Sequence, residues 1–175
     1  VARNAEGKVV AFPAVEMVVH PEANLVDFLF SPALLSADVA QRAESIAREV
    51  ISELHMTGIL AVEMFVTREG GILVNEVAPR PHNSGHQTIE GNATSQYEQH
   101  LRAILNLPLG DTSVTHPAAM VNLLGEEGHV GEARYLGLEG VLNIPGIHVH
   151  LYGKRLTKPF RKMGHVTVVD NYMES

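Results

Sequence analysis

The chain of 175 residues is 45% hydrophobic, enough to fill the core of one domain, or of a domain with a small appendage. A formal net charge of -7 leaves no concentrated basic surface for nucleic acid or for an anionic membrane, so an anionic ligand must meet a local basic cluster. The absence of cysteine excludes disulfides, thiolate metal sites and thiol nucleophiles, no run approaches the roughly 20 apolar residues that span a bilayer, and the cytoplasm is the expected compartment.

The chain opens on Val-Ala-Arg-Asn without an initiator methionine, which reads as a fragment or a processed product. Residues Lys8 to His20 and Leu25 to Phe30 read as two strands joined by a turn, with Pro13 pointing to an edge position or a bulge. Ser36 offers an N-cap, and Val39, Ala43, Ile46, Ala47, Val50, Ile51 and Leu54 recur at helical spacing until Gly58 supplies a stop. Ile59 to Val66 and Ile72 to Val77 are strand-like runs around the turn residues Thr67 to Gly71. A polar loop, Ala78 to Asn92, precedes a short helix from Ser95 to Asn106, for which Tyr97, Leu101, Ile104 and Leu105 form the expected buried face.

Leu107 to Gly110 reads as a domain end, dividing the chain into 1–110 and 111–175. Beyond it short strands dominate, at Ala119 to Leu124, Ile147 to Tyr152 and His165 to Val169, with a helix expected across Glu132 to Leu142 despite Gly137 and Gly140. The fold class is α+β.

Parity places two carboxylates together. A two-residue turn at Glu69-Gly70 sets Glu63 directly opposite Glu76, and one at Gly70-Gly71 leaves them diagonal on the same face. Like charges opposed across a ladder repel, so the pair calls for a cation, and Mg2+ with its preference for carboxylate and phosphate oxygens is the natural one. Asn75 adds a neutral oxygen beside them. The alternative is two solvated glutamates on an open sheet.

The loop after Glu76 runs Val77-Ala78-Pro79-Arg80-Pro81-His82-Asn83-Ser84-Gly85-His86. Arg80 presents a planar fork suited to bicarbonate or phosphate, and His82 and Asn83 can orient such an anion. The bland reading is an ordinary hydrogen-bonded polar loop.

This loop with Asn75 and Glu76, followed by Ser95-Gln96-Tyr97-Glu98-Gln99-His100-Leu101-Arg102-Ala103, resembles the 5-(carboxyamino)imidazole ribonucleotide synthase family. Ala61 to Phe65 is similar to that family's first metal-glutamate strand, and Arg161-Lys162-Met163-Gly164-His165 to its carboxy-terminal basic motif. The resemblance implies the carboxy-terminal part of an ATP-grasp domain, an antiparallel sheet with helices, plus a small β-rich domain. It implies ATP-dependent carboxylation of 5-aminoimidazole ribonucleotide by bicarbonate in purine synthesis, giving ADP and phosphate, in a homodimer.

By resemblance, Glu63 and Glu76 bind Mg2+, while His20, Asn75 and Glu76 border ATP. Arg80, His82 and Asn83 lie near bicarbonate and the imidazole, and Tyr152, Lys154, Arg161 and Lys162 lie by the ribonucleotide. The family's phosphate-covering loop and ATP-reaching lysines are expected upstream of Val1, so the chain alone is expected to be inactive. Competing readings are another ATP-grasp ligase, formate-using or biotin-dependent, and a non-catalytic metal-binding or dimerisation module.

Overall fold

The computed structural model describes residues 1–19 and 26–170, so His20 and the turn expected after it lie outside the described residues. Pro13 splits the first expected strand. β1 (Ala2–Arg3) pairs antiparallel with β2 (Val9–Val10), whereas β3 (Glu16–Val19) pairs with β4 (Val26–Ser31) in another sheet. Proline has no N–H to give to a ladder, and residues 11–15 cross between the two sheets.

α1 (Ala37–Glu53) starts as its sequence asks. The Ser36 side chain accepts from the Val39 N–H at 3.4 Å, and Asp38 in the first turn pairs with Arg42. Ala43 and Ile51 are buried on its apolar stripe. The helix ends earlier than expected, at Leu54, because His55 takes a left-handed φ of 50°. Histidine is among the few non-glycine types that tolerate this region, so Gly58 is free to open the next strand. Arg48 reaches back to the Val9 carbonyl at 2.8 Å and ties helix to sheet. Replacing Ser36 with Ala is expected to lower stability by about 1 kcal/mol in a denaturant titration, with the fold otherwise retained.

β5 (Gly58–Ile59) joins β1, and the chain then turns out of that sheet into the hairpin of β6 (Ala61–Val66) and β7 (Ile72–Ala78). A 3-10 turn at Asn83–Gly85 and α2 (Thr88–Gly91) lead into α3 (Gln96–Ile104), capped by Ser95 through the Glu98 N–H at 3.2 Å.

The expected buried face of this helix is overturned. Gln96, Gln99 and Ala103 are buried, whereas Tyr97, Leu101, Ile104 and Leu105 are 40–63% exposed. Ala103 packs against Ala2 and Ile59. Each buried glutamine satisfies its amide on a backbone: Gln99 accepts from the Gly110 N–H at 2.8 Å and donates to its carbonyl at 2.9 Å. A fully paired amide removes the burial penalty that makes polar residues look like surface.

β8 (Ala118–Leu124), β9 (Gly131–Glu132), α4 (Leu138–Leu142), β10 (Ile147–Leu151), β11 (Leu156–Thr157) and β12 (Lys162–Val169) complete the chain. The helix expected across 132–142 forms only from Leu138, since Gly137 takes φ 78° just before it and Glu132 is committed to a strand with β11. The main sheet is antiparallel in the order β10-β12-β8-β4-β3, so strands from both sides of residue 110 share it. Leu29, Met120 and Thr167 form one cross-strand row on its buried face, each at most 1% exposed. The fold is α+β as expected, and among the described residues no helix is long and apolar enough to cross a membrane.

Candidate functional site

The β6–β7 hairpin closes differently from either expected turn. Thr67 and Gly71 pair, with the Thr67 N–H donating to the Gly71 carbonyl at 2.8 Å, so the loop has three residues, 68–70, with Gly70 at φ 78°. Continued regularly, that register would set Glu63 opposite Asn75. A bulge intervenes: Met64 faces Val74, Glu63 faces Glu76, and Asn75 is the extra residue. The odd loop and the bulge cancel, and the two carboxylates end up opposed.

His82 joins them. Ligand atoms of Glu63, Glu76 and His82 all lie within 4.8 Å of one another, and His82 Nε2 stands 3.6 Å from Glu63 Oε1. Its Nδ1 accepts from the Ser84 N–H at 3.4 Å, with the Ser84 hydroxyl at 2.8 Å. A backbone N–H can only donate, so the ring proton belongs on Nε2, facing Glu63. With its proton on Nε2 and its Nδ1 lone pair taken up by Ser84, His82 has no lone pair left for a cation, and the lone-pair donors are the carboxylate oxygens. Two opposed carboxylates are a donor set that fits a hard, oxygen-binding divalent cation.

The second half of the site comes from the main sheet. The row beside Leu29–Met120–Thr167 is Asn122–His165–His150, on the same buried face. A second bulge, at Met163 between Lys162 and Gly164, turns Lys162 onto this face as well. Lys162 Nζ donates to Asn83 Oδ1 at 3.0 Å, and Asn83 and Asn122 exchange amide hydrogen bonds at 2.9 and 3.0 Å. The loop after β7 is thus pinned to β8 and β12.

Burial lowers the Lys162 pKa from its usual range, with Arg80 and Lys154 adding to the effect and Glu63 opposing it. Burial likewise lowers His82, against the attraction of Glu63 and Glu76 and with the repulsion of Arg80 and Lys162. These mutual influences define one locale holding Glu63, Glu76, Arg80, His82, Asn83 and Lys162. Arg80 and His82 also line a cavity of about 510 Å³, whose other walls include Phe12, Pro13, Leu35 and Met64.

Lys154 lies over the Tyr152 ring, 5.3 Å from its centroid, and donates to the Lys162 carbonyl. Arg161 donates to the Leu156 carbonyl at 2.9 Å. Asn75 is exposed at its bulge.

Behind the site stand three stacked imidazoles. His86 and His165 have centroids 4.9 Å apart, and His165 and His150 4.5 Å apart. Tyr152 Oη meets His165 Nδ1 at 3.0 Å, and His150 Nε2 meets Glu90 Oε1 at 2.7 Å. Burial, reinforced by the neighbouring imidazoles, pulls both His86 and His165 from 6.5 down to about 4. A depressed folded-state pKa means stability that is present above pH 6.5 and lost as pH falls through about 4. The melting temperature is expected to decline across that interval, and His165→Gln is expected to flatten the decline.

Sequence reasoning missed Asn122, Gln96 and the imidazole stack as parts of the site. An asparagine inside the apolar run Ala-Ala-Met-Val-Asn-Leu-Leu was the available signal for Asn122. No local pattern reveals which histidines stack.

Known proteins resemble this chain in sequence and fold. The profile of the ATP-grasp domain family matches residues 1–97, and that of the phosphoribosylaminoimidazole carboxylase C-terminal domain matches residues 118–175. The chain is 43% identical over 180 residues to phosphoribosylaminoimidazole carboxylase of Schizosaccharomyces pombe, covering 98% of this chain and 31% of that protein. It is 51% identical to the N5-carboxyaminoimidazole ribonucleotide synthetase of Thermotoga maritima, with a TM-score of 0.91 over 99% of this chain and 46% of that one. The Aspergillus clavatus N5-carboxyaminoimidazole synthase, solved in complex with ADP and 5-aminoimidazole ribonucleotide, is 37% identical with a TM-score of 0.87, covering 98% of this chain and 46% of that one. The chain thus spans less than half the length of these proteins.

Proposed function

Because this chain belongs to the ATP-grasp family, we propose that it supplies the metal-binding and substrate-side part of an ATP-dependent ligase carboxylating 5-aminoimidazole ribonucleotide with bicarbonate. The products are the N5-carboxyamino ribonucleotide, ADP and phosphate. The observation that carries this reading is the convergence of the opposed pair Glu63 and Glu76 with the Asn83–Lys162 contact of 3.0 Å.

Glu63 and Glu76 would hold Mg2+, which would supply neutralising charge for the phosphates of ATP. Asn75 borders the nucleotide beside them, and His20 is assigned there by resemblance alone. Arg80 and the Nε2–H of His82 bind and orient bicarbonate as the nucleophile on the terminal phosphate, and Asn83 holds Lys162 against it. The carboxyphosphate so formed breaks down to phosphate and carbon dioxide, which the exocyclic amine of the ribonucleotide attacks, releasing a proton. Lys162, Lys154 and Arg161 meet the ribonucleotide's anionic groups, and Tyr152 lines the same side. Homodimeric assembly and a cytoplasmic setting belong to the same proposal on the family likeness, and a division near residue 110 on the domain end read at Leu107 to Gly110.

The test is ADP release by the protein at the length of its relatives. Release that requires both bicarbonate and 5-aminoimidazole ribonucleotide supports the assignment. ADP release indifferent to either one would sink it.

A further inference from the structure

We propose that Gln96 is the positioning residue of this site, one amide setting both the His82 peptide and the tautomer of His86. The proposal rests on the reading above for the roles of that loop. Gln96 is 3% exposed and touches neither glutamate in its hydrogen bonding. Its Oε1 accepts from the His82 N–H at 2.9 Å, and its Nε2 donates to the His82 carbonyl at 2.8 Å. Donor must meet acceptor in both bonds, so the amide has one permitted orientation. The second hydrogen of Nε2 then points to His86 Nδ1 at 2.9 Å.

An amide N–H cannot accept, so His86 Nδ1 is a lone pair and the His86 proton resides on Nε2. The Tyr97 hydroxyl, 2.7 Å from the same Nδ1, is in place to donate as well. Burial first, and then the positive neighbours His82, Lys162 and His150, favour the uncharged ring, which is surrounded by Gln96 and Tyr97 from α3, Tyr152 edge-on after β10 and the stacked His165 on β12. A neutral His86 keeps its stack with His165, which holds Tyr152 beneath Lys154. Gln96 thereby sets the aim of His82 toward Glu63 on one side and braces the basic cluster on the other.

Two neighbours are shaped to this clamp. The Gln96 N–H donates to Thr88 Oγ1 at 2.8 Å, which donates to the Gly85 carbonyl at 2.6 Å. A Cβ at position 85 would lie 2.5 Å from Gln96 Oε1, so a side chain there would push the amide from its place.

The experiment has two arms. In the full chain with 15N-labelled histidine, NMR reads the His86 tautomer, assigned with His86→Asn. A proton on Nε2 and a bare Nδ1 between pH 6 and 8 are expected, and a proton on Nδ1 overturns the proposal. In the full-length protein, Gln96→Leu and Gln96→Glu are expected to lower kcat about tenfold or more through misplacement of His82, with KM for ATP unchanged. Gln96→Glu should also draw a proton onto His86 Nδ1. A fall in melting temperature with kcat intact would reduce Gln96 to a structural contact and overturn the proposal. If a variant fails to fold, the wild-type tautomer still decides, and because that arm needs no substrate it stands or falls apart from the ligase reading.

Discussion

Glu76→Gln is expected to cut ADP release by on the order of 10²–10³-fold while leaving the fold intact. Glu76 sits directly opposite Glu63, and the pair supplies the carboxylate oxygens of the cluster. An amide at position 76 keeps the shape and one oxygen but loses the charge that, on the proposed reading, would hold a divalent cation against triphosphate. Stability should move the other way when the cation is removed. In EDTA the wild type bears two like charges face to face, and the variant should be more stable by roughly 0.2–1 kcal/mol. With Mg2+ at about a hundred times its dissociation constant, the wild type gains about 2.7 kcal/mol by mass action and the order reverses. Melting curves in the two buffers that fail to cross would remove the pair from the metal site.

Lys162→Met is the second large effect. Its ammonium makes a charge-assisted bond to Asn83 Oδ1 at 3.0 Å, and such bonds contribute about 1.5–3 kcal/mol. The expected loss is therefore roughly 10- to 10²-fold in kcat/KM for bicarbonate and the ribonucleotide, with KM for ATP unchanged. The Lys162 pKa is lowered, chiefly by burial, so its charge disappears at lower pH than that of a solvated lysine. The wild-type rate should consequently fall along an alkaline limb beginning below pH 10.5, the unperturbed value, and Lys162→Met should lack that limb. A variant that keeps the wild-type alkaline limb would show that another group titrates there.

Much of the site lies in contiguous residues, which is why it was legible. The run from Asn75 to His86 carries Glu76, Arg80, His82 and Asn83 on one strand end and its loop, and the structure keeps them together. Lys162 sits 79 residues beyond Asn83, and it came into view through the basic cluster it forms with Lys154 and Arg161 and the likeness of the Arg161 to His165 motif to a known family. Helix α3 misled for a physical reason. Hydrophobic periodicity assumes that apolar residues face inward, but Gln96 and Gln99 are buried because backbone groups from distant loops pair with their amides.

By itself the sequence determined which residue types are available, where α1 begins and which loop gathers the polar residues of the candidate site, because these depend on neighbours within a few positions. The tertiary structure decided where those residues aim. A bulge at Asn75 sets Glu63 against Glu76, and a bulge at Met163 turns Lys162 inward. A bulge shifts side-chain parity by one residue for a modest local cost, and the alternation of residues along a strand does not show where one falls.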